Sequence, residues 1–472
     1  MAAGLAPVPL RLPVMAELAS ATGGTLLQGD PFRPFQGASI DSRTVARRNV
    51  FFAIPGSRTD GHDYLGVARK AGATGAVVER RVSCPAGFPL LRVASSKRAL
   101  LAGGAWYRGR FHLPVVAITG SNGKTTTKDM TAWVLEQGFP GGVLATRGNL
   151  NNHLGVPLTL FGLGPGSRVA VLELAMNHKG EIARLARAAA PGIGVVLNAS
   201  EAHLMSFGGV EGVAKAKAEL LRELPAGGWA IINSDDERVW SKRGLTRARV
   251  LGFGIRGGEV RAEGVRLDSS GRAAFVLRTP DGKARARLAV PGSHNALNAA
   301  AAAAVAWVLG LPTGTIARRL SSFRPRAGMR MESCRLRGGA AALVDCYNAN
   351  PASMRAALEH LRRTGARRPV LVLGEMLELG RHGAAAHRSL GRLAASLKPS
   401  LLVGVGPGAR GMVAAARTAG AGRAVWVREP LDAAVVVREA ALSGRTVLLK
   451  GSRKVGLERL SAALGRGASR AV

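Results

Sequence analysis

The sequence predicts an α/β protein of three domains, spanning about 1–110, 111–325 and 326–472, with the second built on a parallel sheet. Three observations predict it. At 472 residues the chain is too long for one ordinary core, and at 47% apolar it can fill several. Short apolar strands alternate with helical stretches, the pattern of a parallel sheet covered on both faces. One of those strands also runs directly into a glycine-rich turn that opens a helix.

The elements follow in order. In the first domain "NVFFAI" (49–54) and "GAVVER" (75–80) read as short strands, with "YLGVARKAGA" as the helix between them. A clean apolar strand begins at "LPVVAITG" (113–120). Others follow at "RVAVLELA" (168–175), "IGVVLNAS" (193–200) and "GWAIINSDD" (228–236). Residues 257–290 alternate polar and apolar, with turn signals at "SSG" and "PDG", so they read as antiparallel strands appended to that domain. The run "ALNAAAAAAVAWVLGL" (296–311) is mostly alanine and shorter than a bilayer span of roughly 20 residues, which favours a buried helix. A linker is expected near "SSFRPRAG" (321–328). The third unit has strands at "ALVDCY" (342–347), "PVLVLGE" (369–375), "SLLVGVG" (400–406) and "TVLLKGS" (446–452).

Composition narrows the setting. Three cysteines make neither a disulfide framework nor a C-x-x-C zinc pattern, and point to a reducing, cytoplasmic compartment. The first residues lack the basic segment and sustained apolar core of a signal peptide. The formal charge is +36, from 66 Lys and Arg against 30 Asp and Glu. Such a field attracts polyanions. Nucleic-acid binders usually add aromatic stacking platforms, yet aromatics are only 4% here and do not interleave with the basic runs. Solvated arginine-rich faces, or steering of a phosphorylated substrate, fit better, and no nucleic-acid partner or membrane insertion is expected.

The turn after the 113–120 strand is Gly120-Ser121-Asn122-Gly123-Lys124-Thr125. It is two residues shorter than the common G-x-x-x-x-G-K-[ST] loop. Its physics is the same. Glycines let backbone N–H groups approach phosphate oxygens, and the helix N-terminus adds partial positive charge. Lys124 would meet the β/γ-phosphates and Thr125 would hold Mg²⁺. Thr126, Thr127 and Lys128 start the helix behind the loop. ATP or GTP binding follows, but not the chemistry it serves.

Partners for a hard cation are sparse. Glu173 ends the "VAVLELA" strand, where the carboxyl edge of a sheet gathers ligands, although a Glu there is more often a solvated turn residue. His203 follows another strand, a position that is more often structural. Lys215 and Lys217 in "GVAKAKAEL" read, on their own, as a solvated helix face.

Taken together these pieces resemble the Mur ligases, ATP-dependent amide-forming enzymes of peptidoglycan synthesis. The short loop "TGSNGKTTTK" has the form characteristic of that family. Further strings extend the resemblance over almost the whole chain: "GNLNNHLGVPLTL" (148–160), "LELAMNHKGEI" (172–182), "VAKAKAEL" (213–220), "GSHNALNAAAA" (292–302), "GMRME" (328–332), "DCYNANPASM" (345–354), "GEMLELG" (374–380) and "LLKGSRKVGLE" (448–458). In the first domain "IDSRTV" (40–45) and "DGHDY" (60–64) fit the family's UDP-sugar region.

The resemblance implies a fold and a reaction. The fold is a small α/β UDP-binding domain, a central P-loop ATPase domain and a C-terminal Rossmann-like domain. The implied branch joins D-alanyl-D-alanine to a UDP-N-acetylmuramoyl-tripeptide through an acyl phosphate, with ATP and Mg²⁺, as a monomer. The D-N-P-R string of the sister ligase that adds the third residue is absent.

It also implies roles by position. Gly120 through Thr126 hold ATP, and Thr125, Glu173, His203 and Lys217 stand at metal-associated positions. Lys124, Glu173, His203 and Lys217 form the catalytic set, with Lys217 at the position that is carbamylated in this family. Asn295 lies on the adenine side, Arg330 reaches the phosphates from the third domain, and Asp345 binds the ribose. Ser42 and Arg43 face the uridine nucleotide. Asn151 and Asn152 face the substrate, and Tyr347, Asn348 and Asn350 lie near the nucleotide or the incoming dipeptide. Three departures from the family pattern, Val344, Glu375 and Lys179, remove no group that the chemistry needs. Because Asp345 and Arg330 are far in sequence from Lys124, an open free enzyme that closes by domain rotation is expected.

Overall fold

The computed structural model describes residues 11–57, 59–200, 207–324, 332–337, 339–441 and 445–465. Three sheets follow one another along the chain. The first holds β1 (Thr25–Gln28), β2 (Ala38–Ser39), β3 (Val50–Phe52), β4 (Gly75–Val78) and β5 (Leu90–Arg92), ordered β1-β5-β4-β3-β2, with only β1 antiparallel to its neighbour.

The second sheet holds β6 (Val115–Thr119), β7 (Val143–Ala145), β8 (Val169–Glu173), β9 (Ile193–Val196), β10 (Trp229–Asn233), β11 (Arg249–Gly254), β12 (Val260–Leu267), β13 (Arg272–Thr279) and β14 (Gly282–Pro291). Their order is β14-β13-β12-β11-β10-β9-β6-β8-β7. β6 lies between β8 and β9, so helices cover both its faces. That is why β6, β8 and β9 are buried throughout and read as unbroken apolar runs. β13 buries alternate residues, as a sheet with one wet face should, and pairs antiparallel with β12 and β14.

The third sheet holds β15 (Glu332–Arg335), β16 (Ala341–Asp345), β17 (Val370–Gly374), β18 (Leu401–Val405), β19 (Ala424–Val427) and β20 (Val447–Lys450), ordered β15-β16-β20-β17-β18-β19. Each strand expected from the sequence is present. Missed were edge strands such as β7, β15 and β19, and also β11, whose lead-in "SKRGLTRARV" had read only as a basic segment. Of the expected linker at 321–328, residues 325–328 lie outside the described residues, and Ser321 and Ser322 close the helix Thr313–Ser322.

Seven helices frame the site and its supports: α1 (Ser96–Gly109), α2 (Lys124–Leu135), α3 (Val210–Lys217), α4 (His294–Val308), α5 (Pro351–Arg363), α6 (Gly383–Ala395) and α7 (Arg410–Thr418). α1 ties the first sheet to the second. Its Tyr107 packs against Phe161 with ring centroids 5.2 Å apart, and its hydroxyl donates to the Leu163 carbonyl at 3.1 Å. Phe35 and Phe52 join the same cluster, so one continuous core runs beneath both sheets. The alanine-rich run is the buried helix α4. Ala296 and Ala299–Ala304 are fully buried. Alanine favours the helix and presents little bulk, so α4 lies close against α2 and against β11–β13.

α6 and α7 pack still more tightly in the third unit. A Cβ on Gly391 of α6 would land on the Met412 carbonyl oxygen of α7. Gly391→Ala is therefore expected to force the two helices apart at a cost of about 1–3 kcal/mol. A fall in the thermal midpoint of the third unit would show it, and an unchanged midpoint would contradict the tight contact.

Candidate active site

The chemistry gathers where strands end. The loop 120–123 leaves the carboxyl end of β6, and α2 starts at Lys124. Gly123 holds φ at +83°, the left-handed region, and a Cβ there would strike Asn298 Oδ1 on α4. The loop is laced to the segment after β9. Ser121 N–H donates to the Asn198 carbonyl (3.0 Å), Asn122 N–H to Asn198 Oδ1 (2.9 Å), and Asn122 Nδ2 to Ser200 Oγ (2.9 Å). Lys124 Nζ folds back on the Gly120 carbonyl at 2.8 Å, so its charge stays over the loop.

Glu173 is the last residue of β8, in register with Ile118 of β6, and is 2% exposed. It is not a solvated turn residue. Its Oε2 accepts from Thr125 Oγ1 (2.7 Å) and its Oε1 from Asn151 Nδ2 (2.8 Å). A buried carboxylate beside a phosphate loop, with a hydroxyl on one oxygen, is the hard-oxygen donor set that suits Mg²⁺. Among the described residues no three His, Cys, Asp or Glu form a metal cage.

Lys217 corrects one sequence reading. Lys215 is exposed, but Lys217 is buried, on the face of α3 that carries Val213 and Ala214. Burial, and then the charge of Lys124, pushes its amine well below the ordinary lysine range.

The third sheet supplies the opposite wall. Asp345 and Lys450 are register partners at the carboxyl ends of β16 and β20, and Lys450 Nζ meets Asp345 Oδ2 at 2.6 Å. Lys450, 2% exposed, also donates to the Asn348 carbonyl at 3.2 Å. Asn350 caps α5 through a reciprocal pair with Ser353, and Pro351 sits at the first helical position. Asn350 Nδ2 then donates to Asn122 Oδ1 across the two units at 2.7 Å. The expected open arrangement is therefore not the one found: the two units already touch at the phosphate loop.

Between them lies a cavity of about 450 Å³. Ser121 to Thr126, Asn151, Glu173 and Asn295 line one side, and Asp345, Tyr347, Asn348, Asn350 and Lys450 line the other. Sequence reasoning missed Lys450 and Asn298. Asn298 Oδ1 accepts from Thr127 Oγ1 at 3.3 Å, and its Nδ2 donates to Asn295 Oδ1 at 2.9 Å, so it orients Asn295 from behind. Asn152 turns its Oδ1 to the N–H groups of Leu154 and Gly155, where the short helix Gly155–Leu160 begins. Ser42 and Arg43 follow β2 in the first sheet. There Arg43 grips Asp41 at 2.6 and 2.9 Å, and this pairing lowers the Asp41 carboxyl to about 2. His203 and Arg330 lie outside the described residues.

The fold and the loop define a phosphate-loop nucleotide-binding class, and sequence comparison narrows it. The pattern of the Mur ligase middle domain matches residues 118–306, that of the Mur ligase glutamate ligase domain matches 329–453, and that of the Mur ligase family catalytic domain matches 34–99. The chain belongs to the Mur ligase family. It is 36% identical to the UDP-N-acetylmuramoyl-tripeptide–D-alanyl-D-alanine ligase of Mycobacterium tuberculosis, over 95% of this chain and 97% of that protein. Among solved structures it is similar to MurF from Acinetobacter baumannii, with a TM-score of 0.86 and 34% identity over 97% of this chain and 99% of that one. It is also similar to MurF from Thermotoga maritima in complex with ADP, with a TM-score of 0.78 and 27% identity over 91% and 97% of the two chains.

The depressed Lys217 amine makes stability depend on pH. Its folded value lies below the unfolded 10.5, so between the two the unfolded chain binds the extra proton and burial costs stability. That cost disappears as pH rises to 10.5. In bicarbonate-free buffer Lys217→Met is expected to raise the melting temperature near neutral pH, with the gain shrinking as pH climbs. A gain independent of pH would contradict the assignment.

Proposed function

We propose that this Mur ligase joins D-alanyl-D-alanine to UDP-N-acetylmuramoyl-tripeptide at the expense of ATP, making the pentapeptide precursor of peptidoglycan. The observation that carries the reading is the single cavity in which the phosphate loop and the buried Glu173 face Asp345, Tyr347, Asn348 and Lys450. Carboxylates and amines do not condense readily in water. Activation solves this in two balanced steps. A carboxylate oxygen of the tripeptide attacks the γ-phosphorus and ADP leaves; the dipeptide amine then attacks the acyl carbon, loses a proton, and phosphate leaves with the carbonyl–oxygen electrons.

Each named group has work in that scheme. The loop N–H groups and Lys124 hold the phosphates and offset charge as it moves to the leaving oxygen. Thr125 and Glu173 would hold Mg²⁺, which supplies further charge neutralisation when bound. Asn295, positioned by Asn298, borders the adenine, and Asp345, held by Lys450, takes the ribose. Burial pushes the Lys217 amine well below the ordinary lysine range, toward the neutral form that would add CO₂ and lose a proton to become a carbamate, a carboxylate-like group able to ligate a metal. The family likeness supports His203 at the metal and Arg330 at the phosphates. Domain 1–110 would bind the UDP group through Ser42 and Arg43, with 111–325 holding ATP and 326–472 closing over it. Free Cys84, Cys334 and Cys346 support a cytoplasmic setting, and among the described residues no helix is long and apolar enough to cross a membrane.

The test is a phosphate-release assay across donors. Release is expected only with ATP, UDP-N-acetylmuramoyl-tripeptide and D-alanyl-D-alanine together, and Lys124→Ala should abolish it. Release with a single amino acid in place of the dipeptide would refute the reading.

A further inference from the structure

Beside the active-site cavity lies a second one of about 530 Å³, within the size range of small-molecule sites. The two share a helix face, since Ala352 and Ala356 of α5 line both. Ser200 links the second cavity to the phosphate loop. Ser200 borders the second cavity, and its N–H donates to Ser121 Oγ at 3.0 Å while its Oγ accepts from Asn122 Nδ2 at 2.9 Å. The second cavity therefore lies one residue, Ser200, away from the loop beside which the acyl phosphate would form.

Its charge is one-sided. Arg355 and Arg238 both line it. Among the described residues the one carboxylate on the wall, Glu359, is engaged by Arg363 at 3.0 Å and Arg362 at 3.6 Å. Arg238 is only loosely paired, 3.9 Å from Asp236, whose oxygens already accept the N–H groups of Ala199 and Arg238. The rest of the wall is small and apolar, with Val210 and Leu393 beside the two alanines. This is a site for a short ligand with methyl-sized side chains and a carboxylate at one end.

We propose that this cavity binds the acceptor dipeptide, with Arg355 as the principal anchor of its terminal carboxylate and Arg238 assisting. The inference rests on the reaction proposed above. Two extended residues span about 7 Å, so a dipeptide anchored at Arg355 directs its amine along α5 toward the phosphate loop. A guanidinium grips a carboxylate with two parallel hydrogen bonds, which fixes direction as well as affinity. The site thereby selects a free C-terminal carboxylate two residues from the attacking amine.

Steady-state kinetics with D-alanyl-D-alanine varied, at saturating ATP and UDP-N-acetylmuramoyl-tripeptide, tests this. Arg355→Ala is expected to raise KM for the dipeptide about 10- to 100-fold, with KM for ATP and for the UDP-peptide unchanged. Arg355→Lys should recover part of the loss. Wild type should prefer the dipeptide to D-alanyl-D-alaninamide, and Arg355→Ala should use the two alike. An unchanged dipeptide KM in Arg355→Ala overturns the inference alone. So does a rise confined to the UDP-peptide, which would assign the cavity to the tripeptide. A wild-type chain that does not consume the dipeptide overturns the proposed reaction and this inference together.

Discussion

The site depends on how one residue, Asn122, is held. Its N–H donates to Asn198 Oδ1, its carbonyl accepts from Asn198 Nδ2, its own Nδ2 donates to Ser200 Oγ, and its Oδ1 accepts from Asn350 Nδ2. Three of these bonds set the shape of the phosphate loop. The fourth brings in the third sheet. Asn350 caps α5 and stands five residues beyond Asp345, so docking it on the loop also sets the carboxyl edge of β16 and β20 over the cavity. A neutral hydrogen bond contributes only about 1 kcal/mol. It therefore works as a locator within a separable interface, the kind of contact across which domains move.

The same logic explains the buried polar groups. Glu173, Lys217, Asn298 and Lys450 are each at most 5% exposed, and burying such groups is costly without partners. Glu173 and Lys450 end parallel strands, at the sheet edge where ligands bind in open α/β folds. Their neighbours hold them in place: Thr125 and Asn151 on Glu173, Asp345 on Lys450, Thr127 and Asn295 on Asn298. The rigid cores place the strand ends, and the polar partners set the last ångström.

Much of this was legible in the sequence. The short loop spacing, the apolar strands and the glutamate ending one of them are local signals, and the structure keeps them. What escaped is what depends on register or on a distant face. Lys450 follows three apolar strand residues, but its pairing with Asp345 exists only because β16 and β20 align. Asn298 hides in an alanine run, one turn after Asn295. Lys217 had a visible signal that went unused: it falls three and four residues after Ala214 and Val213, on the apolar stripe of α3. Asn152 also has a local role invisible in the sequence, since its Oδ1 accepts from the N–H groups of Leu154 and Gly155. The tryptophans engage part of the charge: five of the six indoles stack with an arginine of this chain, as Trp426 does with Arg410 at 4.0 Å.

The central claim is that these groups activate a carboxylate as an acyl phosphate. The most direct measurement follows oxygen. With ¹⁸O in the terminal carboxylate of the UDP-peptide, one labelled oxygen is predicted to appear in inorganic phosphate for each amide bond formed. Phosphate released without label would mean that ATP is hydrolysed by water and that the carboxylate is activated some other way, which would contradict the account.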